Sequence, residues 1–174
     1  SDIRDPRVPH LLLQALDKEP DHLQLCYEYL RVLELTEAPV STRTEAFEHI
    51  GENTKKRDDL FLLGVHAYNQ ASQFEKALSL LVSHQFVPCE GGEHAVANEY
   101  LLAHLGLALK AMNEGDWKSV LSQLEQNFHL PSNLGGGVWH QVMLSPYHYL
   151  TGLCKEQIES GKGRDDFEAV YDFP

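Results

Sequence analysis

Three glycines stand where a helix would be better served by alanine. They are the centres of Leu63-Gly64-Val65, Leu105-Gly106-Leu107 and Thr151-Gly152-Leu153, each inside a run with helical periodicity. Glycine costs about 1 kcal/mol relative to alanine in a helix interior, a cost offset here by letting two helices approach closely. From Gly106 the turn glycine Gly115 is nine positions on, and from Gly152 Gly161 is also nine on. Each mid-helix glycine therefore reads as part of the first helix of a helix-turn-helix. After the first two turns come Gln73-Phe74-Glu75-Lys76-Ala77 and Asp116-Trp117-Lys118-Ser119-Val120, which put Ala77 and Val120 where the second helix crosses the first.

Breakers and caps divide the rest of the chain into helices. Asp5-Pro6 starts one that Pro20 stops, and Asp21 with Gln24 caps a second running toward Pro39. Thr42-x-x-Glu45 reads as a capping box for a third, and Asp58-Asp59 opens a fourth. Ser72-x-x-Glu75 caps a fifth, while the longest apolar run extends from about Glu93 to Asn113. Gly115-Asp116 turns into a seventh, and Ser145-Pro146 is a cap followed by proline at the first helical position. No stretch alternates with period two long enough for a sheet. The expected fold is all-α, with stacked antiparallel helix pairs and long loops between them. Residues 1–56 form a degenerate N-terminal repeat, 57–161 the clearer repeats, and 162–174 a tail or truncated final helix.

Charge and cysteine usage narrow the function. Acidic residues outnumber basic ones 26 to 14, for a formal charge of −12, which repels phosphate backbones and anionic lipid. No apolar run approaches the ~18 residues that span a bilayer, and the first residues lack a basic-then-apolar signal pattern. Cys26, Cys89 and Cys154 are widely spaced, odd in number and without CxxC spacing, as expected of reduced thiols in a cytoplasmic protein.

The helix-pair pattern resembles the tetratricopeptide repeat (TPR). Within Asp59 to Val82, Leu63-Gly64, Tyr68, Phe74 and Ala77 fall near that repeat's positions. Gly64 and Gly106 lie 42 residues apart and Gly106 and Gly152 46 apart, against about 34 in a TPR, so the likeness is TPR-like with lengthened connections. A further resemblance rests on Arg57-Asp58-Asp59-Leu60, Phe74-Glu75-Lys76-Ala77-Leu78, Phe86-Val87-Pro88-Cys89-Glu90-Gly91-Gly92-Glu93, Pro131-Ser132-Asn133-Leu134-Gly135 and Tyr149-Leu150-Thr151-Gly152-Leu153. Together these are similar to the C-terminal helical-repeat region of large bacterial YphG-type proteins. The resemblance implies a right-handed α-α superhelix at the end of a longer bacterial chain, a connection with carbohydrate metabolism, and no catalytic residue in this segment.

The chemistry-bearing residues point the same way. His66, His104 and His148 occupy comparable places in three first helices, but no His-x-x-x-His or Cys-x-x-Cys spacing makes a preformed metal site, so they read as packing or groove residues. Cys89-Glu90-Gly91-Gly92-Glu93-His94 gathers a thiol, carboxylates and an imidazole. Glu90 and Glu93 would repel an anion and hold the thiol protonated, so a loop-to-helix transition is preferred. Asn133-Leu134-Gly135-Gly136-Gly137 lacks the Gly-Lys-Ser/Thr of a phosphate loop. Trp139, beside His140, reads equally as a partner anchor or as filler between repeats.

No nucleophile–base order appears, and no cofactor or metal is expected. The expected function is a non-catalytic scaffold that docks a protein segment or a neighbouring domain of the same parent chain. Its binding candidates are His66, Asn69 and Gln70 from one pair, Tyr100, His104 and Lys110 from the next, and Glu90, Glu93, Trp139 and His140 in the loops. An accessory domain shaping the site of a carbohydrate-active enzyme is the alternative reading, and self-association through exposed repeat ends is a third.

Overall fold

The computed structural model describes residue 5 and residues 7–87, 93–135 and 145–171, with the backbone alone at 93 and 94. Among the described residues the regular secondary structure is all helical, with no strand. Two compact units divide it, Ser1–Gln73 and Phe74–Pro174. The stretch Asp59–Val82, most like a single repeat in sequence, is split between them.

The first unit contains α1 (Arg7–Lys18), α2 (Leu23–Leu35), α3 (Val40–Ile50), a 3-10 turn (Gly51–Lys56) and α4 (Asp58–Gln70). α2 packs on α1, α3 and α4, and α3 also packs on α4. Leu60, Phe61, Val65 and Tyr68 of α4 are fully buried, each worth about 1.5–3 kcal/mol in transfer free energy as an upper bound. Phe47 of α3 meets Phe61 and Tyr68 edge-on, with both centroid separations 5.9 Å. Its ring lies over Gly64, where a Cβ would fall 2.1 Å from Phe47 ring carbons. That is the close approach the glycine implies, made by an aromatic ring.

The second unit contains α5 (Phe74–Ser83), α6 (Glu93–Asn113), α7 (Trp117–Gln126), a 3-10 turn (Ser132–Leu134), α8 (Ser145–Ile158) and α9 (Arg164–Ala169). The main packing joins chain neighbours: α5 to α6, α6 to α7, α7 to α8, α8 to α9. Cys154 donates to the Trp117 carbonyl at 3.0 Å, and the His148 ring lies 4.6 Å from that of Phe128, so α7 and α8 run antiparallel. Ala108, Val120, Leu124 and Cys154 form the core of this seam. The glycine pattern repeats: the tip of Phe74 lies 2.3 Å from where a Gly106 Cβ would sit, and Phe167 of α9 lies 2.7 Å from that of Gly152. Phe74, the first residue of α5, fills the socket of the helix that follows.

Three helix boundaries differ from the sequence expectation, each because a neighbouring group starts or closes the helix first. Asp21 is not the cap of α2. His22 is, its Nδ1 accepting from Leu25 N–H at 3.3 Å, while Asp21 accepts from Asn53. Thr42 lies inside α3, which begins at Val40 after Pro39 and has no side-chain cap. Ser72 does not cap α5. It takes φ 57° at the end of α4, where Ser72 N–H donates to Asn69 O and Gln73 N–H to Tyr68 O, a Schellman closure. Glu37 closes α2 in the same way at φ 53°, as does Gly115 at the end of α6. Asp116 does cap α7, accepting from Ser119 N–H at 3.2 Å and its hydroxyl at 2.6 Å. Part of the expected C-terminal tail forms α9, anchored by Glu156. That carboxylate accepts the N–H groups of Gly161 and Gly163, which holds its pKa below the usual value.

The two long connections meet where they begin. Asn133 donates its side-chain amide to the carbonyls of Leu81 (2.8 Å) and His84 (2.7 Å), closing the end of α5. Its own carbonyl accepts from Phe86 N–H at 2.8 Å. The Asn-Leu-Gly motif, which a helix-pair repeat does not need, thus ties a residue about fifty positions away to the end of a helix.

Candidate functional site

The candidates on α4 form one network within the first unit. Gln70, at the last turn, is exposed and takes two partners. Its Oε1 accepts from Nη2 of Arg43 on α3, and its Nε2 lies 2.6 Å from Nε2 of His66. Because Arg43 can only donate, it fixes the amide orientation, and His66 Nε2 is then the acceptor. The same His66 nitrogen lies 3.7 Å from Oε1 of Glu34 on α2, and Arg31 donates to Glu34 Oε2 at 2.5 Å. The Arg31–Glu34 pair and the His66–Gln70–Arg43 chain thus lie side by side in a row of polar groups across three helices. Asn69, expected beside them, is 4% exposed and belongs to the interior.

The α6 candidates do not form a comparable face. Tyr100 is 4% exposed and lies edge-on to His104, with ring centroids 4.5 Å apart. His104 is 8% exposed, and its Nδ1 lies 2.8 Å from Gln123 Oε1 on α7. These are packing positions, because the apolar stripe of α6 is wide enough to take both inside. Lys110 stays on the surface, paired with Glu75 at 3.3 Å, an exposed contact of little energetic weight. Glu90, Trp139 and His140, and the side chains of Glu93 and His94, lie outside the described residues.

No family model matches the chain, and no solved structure matches it.

Among the described residues no group of three or more His, Cys, Asp or Glu side chains could hold a metal ion. His66, His104 and His148 each engage a different neighbour: Gln70, Gln123, and Phe128. No helix among the described residues is long and apolar enough to cross a membrane. Cys26 and Cys154 are free, buried thiols, and burial raises the pKa of both, the opposite of what a nucleophilic cysteine needs.

Sequence reasoning missed Arg43. The signal was present, since Arg43 precedes Phe47 and Ile50 by four and seven residues and so lies on the buried stripe of α3. A charged residue at that register either escapes to the surface or is sealed in with a partner, and here it is sealed in.

His104 supplies a pH dependence with a definite sign. Desolvation lowers its pKa from 6.5, partly opposed by the hydrogen bond to Gln123. The folded state therefore favours the neutral ring. The stability this contributes is present above pH ~6.5 and is lost as the pH falls from there through the depressed folded value. Urea unfolding at pH 7.5 and 5.5 should show wild type losing more stability than His104→Asn over the same interval. Equal losses would show that His104 titrates as it would in water.

Proposed function

We propose that the chain is a non-catalytic helical scaffold, TPR-like in its helix pairing, that docks a protein segment or a neighbouring domain of the same parent chain. One observation carries this reading: the row formed by the Arg31–Glu34 pair beside the His66–Gln70–Arg43 chain, in which polar groups from three helices converge with Gln70 exposed. Such a row supplies directional donors and acceptors on a rigid support, which serves recognition. The negative formal charge favours a protein partner over nucleic acid or an anionic membrane surface. The resemblance to the helical-repeat region of YphG-type proteins supports a bacterial, cytoplasmic setting, and the free thiols of Cys26 and Cys154 fit a reducing compartment.

Calorimetry of this chain against separately produced flanking regions of its parent tests the proposal. Micromolar association is expected, with His66→Ala and Gln70→Ala each weakening it by about fivefold or more, equivalent to ~1 kcal/mol. The melting temperature holds for His66→Ala, whereas Gln70→Ala also removes the amide bonded to buried Arg43 and lowers it. Absence of association, or turnover of a glycoside or ester by the purified chain, would overturn the scaffold reading. An increase in the parent's glycoside turnover on adding the chain, without alanine sensitivity at His66 or Gln70, would replace it with the accessory-domain reading.

A further inference from the structure

Arg43 is the one arginine among the described residues without a carboxylate partner. It is 8% exposed, Nη2 donates to the neutral Gln70 amide, and Nε is sealed from solvent with no acceptor. Every other described arginine lies against a carboxylate: Arg7 on Asp5, Arg31 on Glu34, Arg57 on Asp59, Arg164 on Glu168. The acids around the network are already engaged, Glu34 by Arg31 and Glu48 by the Tyr68 hydroxyl. The carbonyls of Ala67, Tyr68 and Asn69 at the end of α4 accept from Ala71, Gln73 and Ser72, so the helix end is closed as well. A buried guanidinium whose bonded partner is a neutral amide and whose Nε has none is unfavourable, and buried charges are ordinarily paired.

We infer that Arg43 is one half of a recognition pair and takes a carboxylate carried by the docked segment, an Asp or Glu side chain or a chain terminus. The inference rests on the docking reading and names its chemistry. Gln70 is exposed at the end of α4 and can leave Nη2, opening the guanidinium fork to two carboxylate oxygens in the bidentate geometry that arginine favours. The freed amide and His66 then border the incoming group.

Supplying the missing anion within the chain tests this without knowing the partner. Gln70→Glu should raise the melting temperature by about 4–8 °C, the shift expected of a well-placed pair in a unit of this size, and should gain nothing in an Arg43→Met background. Arg43→Met alone should hold or raise the melting temperature, because an apolar side chain of similar volume removes an uncompensated charge. Acetate, compared with chloride at equal ionic strength, should stabilise wild type and not Arg43→Met. Inorganic phosphate should do less than acetate.

A fall in melting temperature with Gln70→Glu, or a large fall with Arg43→Met, would show that Arg43 is structural and overturn the inference. A stronger response to phosphate than to acetate would overturn the carboxylate assignment. Flanking regions that fail to bind, with the Gln70→Glu gain intact, would remove the scaffold reading and leave the site. Binding without that gain would remove the site and leave the scaffold.

Discussion

Gly64→Ala will destabilise the first unit by about 1–3 kcal/mol, the range for forcing extra volume into a packed core, although alanine is the better helix former by about 1 kcal/mol. The two effects oppose each other, so the sign of the result separates them. A Cβ at Gly64 would sit 2.1 Å from Cδ2 and Cε2 of Phe47 and 2.5 Å from Cγ. Contact with Cγ means the ring cannot escape by tilting its tip. Phe61 and Tyr68 hold it edge-on, and it is only 7% exposed. Gly106→Ala should cost less, because the clash there is with Cζ and the Cε atoms of Phe74, the far end of a half-buried ring that can swing outward. Phe47→Leu should recover part of the Gly64→Ala loss, since a shorter side chain leaves room for the methyl group. Urea unfolding of the three single variants and of the Gly64→Ala/Phe47→Leu double variant provides the check. A stabilised Gly64→Ala would mean that the socket is not filled in solution.

Asn133→Asp will be the most damaging isosteric change in the second unit. The native amide donates to two carbonyls, those of Leu81 and His84. The carboxylate has the same shape but offers only acceptors, so both carbonyls lose a donor and face a negative charge. Each unmet, partly buried acceptor costs about 1–3 kcal/mol, and lone-pair repulsion adds to that. Asn133→Ala, which removes the donors without the charge, should cost less. The acid variant's deficit should shrink at low pH, because repulsion from the carbonyls raises the folded pKa of the new carboxyl above its unfolded value near ~3.9. Its stability is then greatest below that value and falls as the pH rises through the folded one. Phe86, 1% exposed and bonded through its N–H to the Asn133 carbonyl, reports the loss locally, and amide exchange at Phe86 should accelerate. Unchanged protection at Phe86 would show that the connection after α7 does not depend on this clamp.

The candidate site is half legible in the residues that form it. His66 and Gln70 stand one turn apart on α4, which makes them neighbours on one face, and they do interact. Tyr100 and His104 have the same spacing on α6 but turn inward, because neither residue type declares whether its ring will be covered. Arg43 carries a readable sign, a charge on an apolar stripe. Its lack of a carboxylate depends on where Glu34 and Glu48 point, and that is set by the packing of neighbouring turns and helices. The caps expected at Asp21, Thr42 and Ser72 fail for a related reason. A side-chain cap, a proline start and a backbone Schellman closure satisfy similar orphan groups at similar energies, so the local motif alone cannot choose among them.

By itself the sequence determined the all-helical class, the approximate helix spans, and the places, Gly64, Gly106 and Gly152, where a close approach is permitted. These follow from interactions within a few residues: 3.6-residue periodicity, prolines, and the absence of a Cβ. Only the tertiary structure decided that the visitors are Phe47, Phe74 and Phe167, two from the helix before and one from the helix after. It also decided that a unit boundary falls between Gln73 and Phe74, and that Asn133 closes a helix about fifty residues away. Those outcomes depend on which apolar faces meet. Each contact contributes only about 1 kcal/mol, and the choice among many such pairings lies in their sum over the packed unit, which no short segment encodes.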